Sequence, residues 1–375
     1  MKTLNNEVLK LFLQHKALLT EGRNHQLMVT KAIDLMRGLD TVLVHRRWEI
    51  EGLVLGLFTG YPTFWLGPIG IGKTYTIDRL VAMIKGAKLF RLMLTKHTEP
   101  EELFGPFNFK KLRKGVYERI ITDKLPDADI VYLDEPFKAS SAIINSLLDI
   151  LLYQRFYDGS KYIKTHILAL YLSANEEPRL YEQLTFFDRS AIRIISQHLG
   201  WEEMIDVLGT PQRTIDSMPK IISKDEIESA QREVEEVERS VMNNEEIKRA
   251  IVRVVSQSVA KVAEQGEMLE VSERRLMMVR RVVAAIAWAY EEEPNLDHVA
   301  MACLFALPTS QATYATVKAV ISAQLPNSSV AYKDKLDTVK AEIINAKTEE
   351  DKAKLQGKLA ELRQQAPRRF FLGTI

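Results

Sequence analysis

The chain has 375 residues, 46% of them hydrophobic and 27% charged, and its 51 Lys+Arg against 50 Asp+Glu give a formal net charge of +1. This composition supports a large buried core and excludes disorder, collagen-like repeats and disulfide scaffolds; at roughly 150 residues per domain it predicts two or three domains. A single cysteine, Cys303, permits neither an intrachain disulfide nor a multi-cysteine zinc site, and the balanced charge gives no global attraction to nucleic acid or anionic lipid.

The first residues, MKTLNNEVLK, lack an apolar core followed by a small-residue cleavage site, so a cytoplasmic protein is expected. Over 1–40, apolar residues at Leu4, Val8 and Leu11 and again at Val29, Ile33 and Met36 share the spacing of a helix face, predicting two N-terminal helices. From Gly52 to Gly72 no side chain is charged, a length that could cross a bilayer. Gly56, Gly60, Pro62, Gly67, Pro68 and Gly70 interrupt it, so the stretch reads as helix end, turn, buried strand and glycine loop, with no membrane span.

Across 41–205 the apolar segments TFWLG, KLFRLML, DIVYLDE and HILALYLSAN alternate with amphipathic ones, which predicts an α/β core with a parallel sheet flanked by helices. A Pro/Gly-punctuated connector (GTPQRT, SMPK) between Gly200 and Ser223 marks a boundary. An all-helical domain over 220–325 should then open with Ser223-Lys224-Asp225-Glu226, a capping box, and continue with helices at about 244–264, 272–291 and 296–306. The tail over 328–375, rich in Lys, Glu, Ala and Leu, predicts a long surface helix or a helical hairpin.

The chemistry begins at Gly67-Pro68-Ile69-Gly70-Ile71-Gly72-Lys73-Thr74, which fits G-x-x-x-x-G-K-[ST] directly after the strand TFWL. Glycines let backbone N–H groups converge on phosphate oxygens, Lys73 adds charge at the β/γ-phosphates, the Thr74 hydroxyl can reach Mg²⁺, and the following helix aims its positive end at the same anion. Asp134 and Glu135 end a buried strand, where one acid can hold Mg²⁺ and the other can orient or deprotonate the attacking water. Asn175 ends another, where an amide can bond both γ-phosphate and water, or simply serve the turn before Pro178. Asp188-Arg189 and Arg193 follow; an arginine at a subunit edge could stabilise charge on a neighbour's phosphate, or belong to an ordinary surface ion pair. The seven histidines show no metal-ligand spacing, so no metal beyond magnesium is expected, and Cys303 in AMACLFAL reads as a buried thiol.

In this order the motifs resemble the AAA+ ATPases, in particular the MoxR family with its RavA-like branch. The matching segments are Val44-His-Arg-Arg-Trp-Glu-Ile50, GPIGIGKT, Glu99-Pro-Glu-Glu-Leu-Phe-Gly-Pro106, GVYERI, DKLPDADIVYLDEPFKAS, SANEEP, FFDRSAIRI and SERR at 272–275. The resemblance implies a P-loop core with a helical lid that hydrolyses ATP with Mg²⁺ in a homo-oligomeric, hexameric ring. It assigns Gly67 to Tyr75 to the nucleotide, Thr74 and Asp134 to magnesium, Glu135 to the catalytic base and Asn175 to sensor 1. It makes Arg189 the finger acting in trans, with Arg193 as the other choice, Arg274 the sensor 2 arginine, and Val44 and His45 neighbours of the adenine. Pro136 and Ser190 depart from the family's usual residues.

The family's helix-2 insert corresponds to 97–120, where Phe104, Phe107, Phe109 and Tyr117 mix with Lys110, Lys111, Arg113 and Lys114. Such a segment could grip a polypeptide or nucleic acid, or pack as a solvated hairpin. The implied partner is a protein client with a von Willebrand factor A domain, remodelled as by a chaperone; the alternative is a nucleic-acid-dependent translocase or loader.

Overall fold

The computed structural model describes residues 25–158, 161–346 and 348–364. The first expected helix, with Leu4, Val8 and Leu11, lies outside the described residues, whereas residues 25–40 are helical (α1).

The elements then run α2 (Arg47–Thr59), β1 (Thr63–Leu66), α3 (Lys73–Ala82), β2 (Ile84–Lys85), β3 (Leu89–Met93), α4 (Pro100–Phe104), α5 (Phe109–Leu112), β4 (Ile130–Asp134) and α6 (Ser141–Tyr153). After them come β5 (Arg155–Tyr157), β6 (Tyr162–Lys164), β7 (Ala169–Ala174), α7 (Tyr181–Phe187), β8 (Ile192–Ile195), α8 (Trp201–Gly209) and β9 (Ile222–Ser223). The remainder is helical: α9 (Lys224–Asn243), α10 (Glu245–Glu264), α11 (Glu273–Tyr290), α12 (Leu296–Ala306), α13 (Gln311–Gln324), α14 (Ser329–Asn345) and α15 (Glu349–Gln364).

Five strands form one sheet in the order β3-β4-β7-β1-β8, every pairing parallel. All four apolar segments expected as strands are in it. Their side chains alternate between two cores: Ile130, Tyr132, Tyr171 and Trp65 face one cluster, while Val131, Leu133, Leu170, Leu172, Phe64 and Leu66 face the other. Burial on both faces is why β1, β4 and β7 read as continuous apolar runs rather than alternating ones, whereas the edge strand β3 buries only Phe90 fully. The fifth strand, β8, escaped the sequence reading because a charged residue, Arg193, interrupts its apolar run IRII. The β5–β6 hairpin was missed as well, its three-residue strands being too short for a periodic signal.

The helical C-terminal region begins where its capping box predicts: Ser223 N–H donates to Glu226 Oε2 at 2.9 Å, and Ser223 Oγ accepts from Glu226 N–H at 3.4 Å. Its helices α9–α13 share one continuous buried cluster with α1, α2 and a face of the sheet. Here α2 lies between sheet and bundle; every residue from Trp48 to Thr59 is buried. That explains the uncharged stretch from Gly52 without a membrane, and no helix of the described residues is long and apolar enough to cross one. The tail forms a hairpin, α14 against α15.

Burying α2 also buries Glu51, whose carboxylate stands 3.5 Å from Arg47 Nε. Desolvation pushes its pKa up from 4.5 to about 8, and the charges of Arg47 and Lys333 offset this only in part. A carboxyl whose folded pKa exceeds its unfolded one adds stability fully below the unfolded value, about 4.5, and loses it as pH rises through about 8. Glu51→Gln is therefore expected to match wild type near pH 4.5 and to exceed it by on the order of 2–4 kcal/mol at pH 8, as denaturant midpoints measured against pH will show.

Candidate active site

The sheet order places the carboxyl ends of β4, β7 and β1 side by side, and ligand sites of open α/β sheets form at such an edge. Leaving β1, the chain turns through residues 67–72 into α3, with Gly67 N–H donating to Ala174 O at 3.2 Å. Gly72, at φ 89, caps α3 in the left-handed region, a conformation that a side chain would strain. Ile69 and Gly70 are exposed at the tip of the loop, so the first turn of α3 opens toward solvent as an anion site.

Lys73 lies beneath that loop and is 8% exposed. Its ammonium donates to Gly67 O at 2.7 Å, to Pro68 O at 3.0 Å and to Asn175 Oδ1 at 2.6 Å. Burial lowers its pKa below the ordinary lysine value, and the carboxylates of Glu135 and Asp134 oppose the shift. Asn175, one residue past β7, turns its amide nitrogen to Glu135 Oε1. A single amide thus touches both the loop lysine and the strand-end acid.

Glu135 is 2% exposed and has φ 54, ψ 47, left-handed geometry that is costly for a non-glycine residue. Its Oε2 lies 3.4 Å from Lys138 Nζ, and its N–H donates to Ser173 O at 2.7 Å. Pro136, one of the departures noted above, starts the turn behind it. Asp134 is half-buried beside it and accepts from Ser173 Oγ, while Thr74 Oγ1 stands 2.9 Å from the Tyr132 hydroxyl. A hydroxyl and a carboxylate at this mouth suit Mg²⁺, which binds through one or two protein oxygens and keeps several waters.

The segment preceding α2 also reaches the loop. A Cβ on Gly72 would sit 3.1 Å from Leu43 Cδ1, so Leu43 borders the phosphate loop. Val44 is half-buried, and His45, at φ 57, is exposed with Nε2 2.6 Å from Asp206 Oδ2 of α8. Tyr75 meets the connector after α8: its hydroxyl accepts from Arg213 N–H at 3.2 Å and its ring carries the Arg79 guanidinium.

The arginines lie elsewhere. Ala191 N–H bonds Pro62 O, before β1, while the phosphate loop follows β1, so Arg189 sits at the opposite edge of the sheet. The four residues of β8 put about 10 Å or more between that edge and the loop. Arg189 is half-buried and donates to Thr185 O. Burial and the adjacent charge of Arg274 lower its pKa, partly countered by Asp188, Tyr153 and Asp149. Arg274 lies near Arg189, two residues past Ser272, whose Oγ donates to Asp188 Oδ2 at 3.1 Å.

Arg193, the other finger candidate, is 2% exposed and donates to Leu307 O at 3.2 Å and Phe187 O at 3.3 Å, with its guanidinium over the Phe187 ring. It ties β8 to the end of α12 and presents nothing to a neighbouring molecule. Nor does Asp188 pair with Arg189: it is held by Arg275, through Nε at 3.2 Å and Nη2 at 3.0 Å, and by Arg193. Sequence reading missed Arg275 because Arg274 and Arg275 are adjacent and only packing decides which of them turns inward.

The insert resolves into distinct roles. Phe104 is buried and stacks on Phe156 at 5.7 Å, and Phe107 is enclosed by Arg119 and Tyr117. Gly105, at φ 83, lies where a Cβ would strike Ile120 O at 1.9 Å, which accounts for the glycine of PEELFGP. Phe109, 75% exposed on α5, and Tyr117, 53% exposed, stand out beside the exposed Lys110, Lys111, Arg113 and Lys114.

Comparison with known proteins agrees with this architecture. The family description "MoxR domain in the MoxR-vWA-beta-propeller ternary systems" matches residues 30–237. The chain is 27% identical to the uncharacterized protein MJ0812 of Methanocaldococcus jannaschii over 257 residues, covering 68% of this chain and 65% of that protein. It is 35% identical to MJ0079 of the same organism over 156 residues, 41% of each, and 26% identical to structural protein ORF618 of Acidianus two-tailed virus over 59% of this chain and 38% of that one. The chain thus spans less than two thirds of the length of each of these relatives. A solved structure from Cytophaga hutchinsonii, provisionally assigned as an ATPase, superposes with a TM-score of 0.64 at 17% identity over 83% of this chain and 98% of that one, a likeness of fold. With more than half of its length matched by that family description, the chain belongs to the MoxR family of AAA+ ATPases.

Proposed function

We propose that this protein hydrolyses ATP at the interfaces of a homo-oligomeric, hexameric ring and uses the cycle to remodel a protein partner, as a member of the RavA-like branch. The observation that carries the reading is the convergence of Lys73, Asn175 and Glu135 through one amide, beside Thr74 and Asp134, at the carboxyl edge of the sheet.

In this reading the N–H groups of the loop and Lys73 hold the β- and γ-phosphates. Asn175 bonds the γ-phosphate oxygen and orients the attacking water, and Glu135, gripped by that amide, takes the water's proton. Held by Thr74 and Asp134, Mg²⁺ would neutralise charge on the phosphate oxygens. Val44 and His45 flank the adenine. Arg189, a strand's length from its own loop, acts on a neighbour's γ-phosphate, and the proximity of Arg274 supports a second arginine working across the same interface rather than within the subunit. The proposed domain plan is a core over 41–205 and a lid over 220–325, flanked by an N-terminal segment over 1–40 and a tail over 328–375.

The family description names von Willebrand factor A and beta-propeller components, which supports a client of the first kind. The exposed Phe109 with its basic neighbours favours a second reading, nucleic-acid-dependent translocation. Steady-state phosphate release with Mg²⁺ and ATP, with and without added DNA or RNA, separates the two. Stimulation that collapses with salt supports the second, because counterion release makes such binding salt-dependent. The site itself is tested by Lys73→Ala, expected to weaken ATP binding about ten- to hundredfold, the equivalent of a charged hydrogen bond. Unchanged affinity in a fluorescent-nucleotide titration would remove the phosphate-loop reading.

A further inference from the structure

Four polar side chains form an unbroken line beneath the phosphate loop. Thr74 Oγ1 stands 2.9 Å from the Tyr132 hydroxyl, which stands 2.8 Å from Ser173 Oγ, and Ser173 donates to Asp134 Oδ1. Tyr132 and Ser173 are both 0% exposed. The parallel register sets Ser173 opposite Asp134 and Tyr171 opposite Tyr132, so neighbouring strands bring the hydroxyls within reach. Tyr132 is out of keeping with its strand, where Ile130, Val131 and Leu133 are aliphatic.

Counting protons sets the direction of the line. Ser173 has one hydroxyl proton and gives it to Asp134, so toward Tyr132 it can only accept. Tyr132 must then spend its own single proton on Ser173 and can only accept from Thr74. Thr74 consequently turns its O–H inward, and both lone pairs of Oγ1 remain for the mouth of the site.

We propose that Tyr132 is a positioning residue for the magnesium site, holding the Thr74 hydroxyl as a pure acceptor toward the cation and, through Ser173, fixing the carboxylate of Asp134. This rests on the Mg²⁺-ATP reading above. Partners one step behind metal ligands orient them, and their loss typically costs about 10- to 100-fold in metal affinity. With phenylalanine at 132 the Thr74 proton is free to swing toward the cation. A purely packing role would be filled equally well by the phenylalanine ring.

The test uses the full chain, fluorescent ADP and MgCl₂. Tyr132→Phe and Ser173→Ala are each expected to bind ADP in EDTA within about twofold of wild type, while the Mg²⁺ concentration giving half of the metal-dependent gain in affinity rises about tenfold or more. Because one break suffices to release the line, the double variant should be no worse than the singles. In ATP hydrolysis the Mg²⁺ dependence should shift likewise, with the rate at saturating Mg²⁺ largely retained. An unmoved Mg²⁺ midpoint overturns the proposal, as do equal losses in EDTA and Mg²⁺ or additive effects in the double variant. A lowered melting temperature with an unmoved midpoint also overturns it, since the hydroxyl is then structural. If Tyr132→Phe is too unstable to purify, Ser173→Ala, a smaller deletion one link further on, decides the question. A wild type whose ADP affinity ignores Mg²⁺ sinks the ATPase reading itself, whereas a Mg²⁺-responsive wild type matched by both variants sinks this inference alone.

Discussion

Glu135→Gln is expected to bind ATP and Mg²⁺ about as tightly as wild type while losing roughly two to four decades of turnover, the usual worth of a general base. The substitution suits this position because the side chain is 2% exposed and locked: glutamine keeps its volume, and its amide oxygen can still accept from Asn175 Nδ2. What it loses is the capacity to take a proton. The left-handed backbone at residue 135, φ 54, is unaffected, since glutamine meets the same steric limits as glutamate. Phosphate release and nucleotide binding measured on one preparation check this. Retention of more than about a tenth of wild-type turnover would take Glu135 out of the base role. Loss of binding together with turnover would mean that its bonds to Asn175 and Lys138 serve to hold the loop.

Arg189→Ala is expected to leave nucleotide affinity unchanged and cut turnover about 10³-fold or more, the magnitude associated with an arginine finger. The geometry makes the test sharp. Arg189 lies at the amino edge of β8 and its own phosphate loop at the carboxyl edge of β1, a strand's length apart. Arg274 beside it raises local positive charge, which in the proposed ring a neighbour's γ-phosphate would relieve. Mixing Arg189→Ala with Glu135→Gln subunits should restore activity, because some interfaces then pair an intact base with an intact finger. Mixed assemblies as inactive as their parents would count against action in trans. Arg193 is no substitute: buried and spent on the carbonyls of Leu307 and Phe187, it is a structural clamp.

The residues expected to handle phosphate were legible because their chemistry is local. G-P-I-G-I-G-K-T after an apolar strand states its own geometry, since glycine φ values, helix dipole and lysine reach all act within eight residues. Helices α9 to α12 were equally legible, their caps and 3.6-residue periodicity being written in neighbouring side chains. The sequence by itself therefore determined the parallel α/β core, the helical region after it, and the run of Lys73, Thr74, Asp134, Glu135 and Asn175 in one order.

Only the tertiary structure decided what depends on a side chain's choice between neighbours far apart in sequence. Adjacent arginines at 274 and 275 look alike along the chain, yet one is clamped on Asp188 and the other stands beside Arg189, because α11 turns a single face to the turn before β8. Strand β8 acquires its identity from pairing with β1, which an arginine-interrupted run does not announce. Tyr132 passes for another core aromatic until parallel register brings Ser173 and Thr74 to its hydroxyl, turning a packing residue into a link between the phosphate loop and the strand-end acid. Hydrogen-bond direction and burial are properties of the assembled sheet, and no periodicity in the chain encodes them.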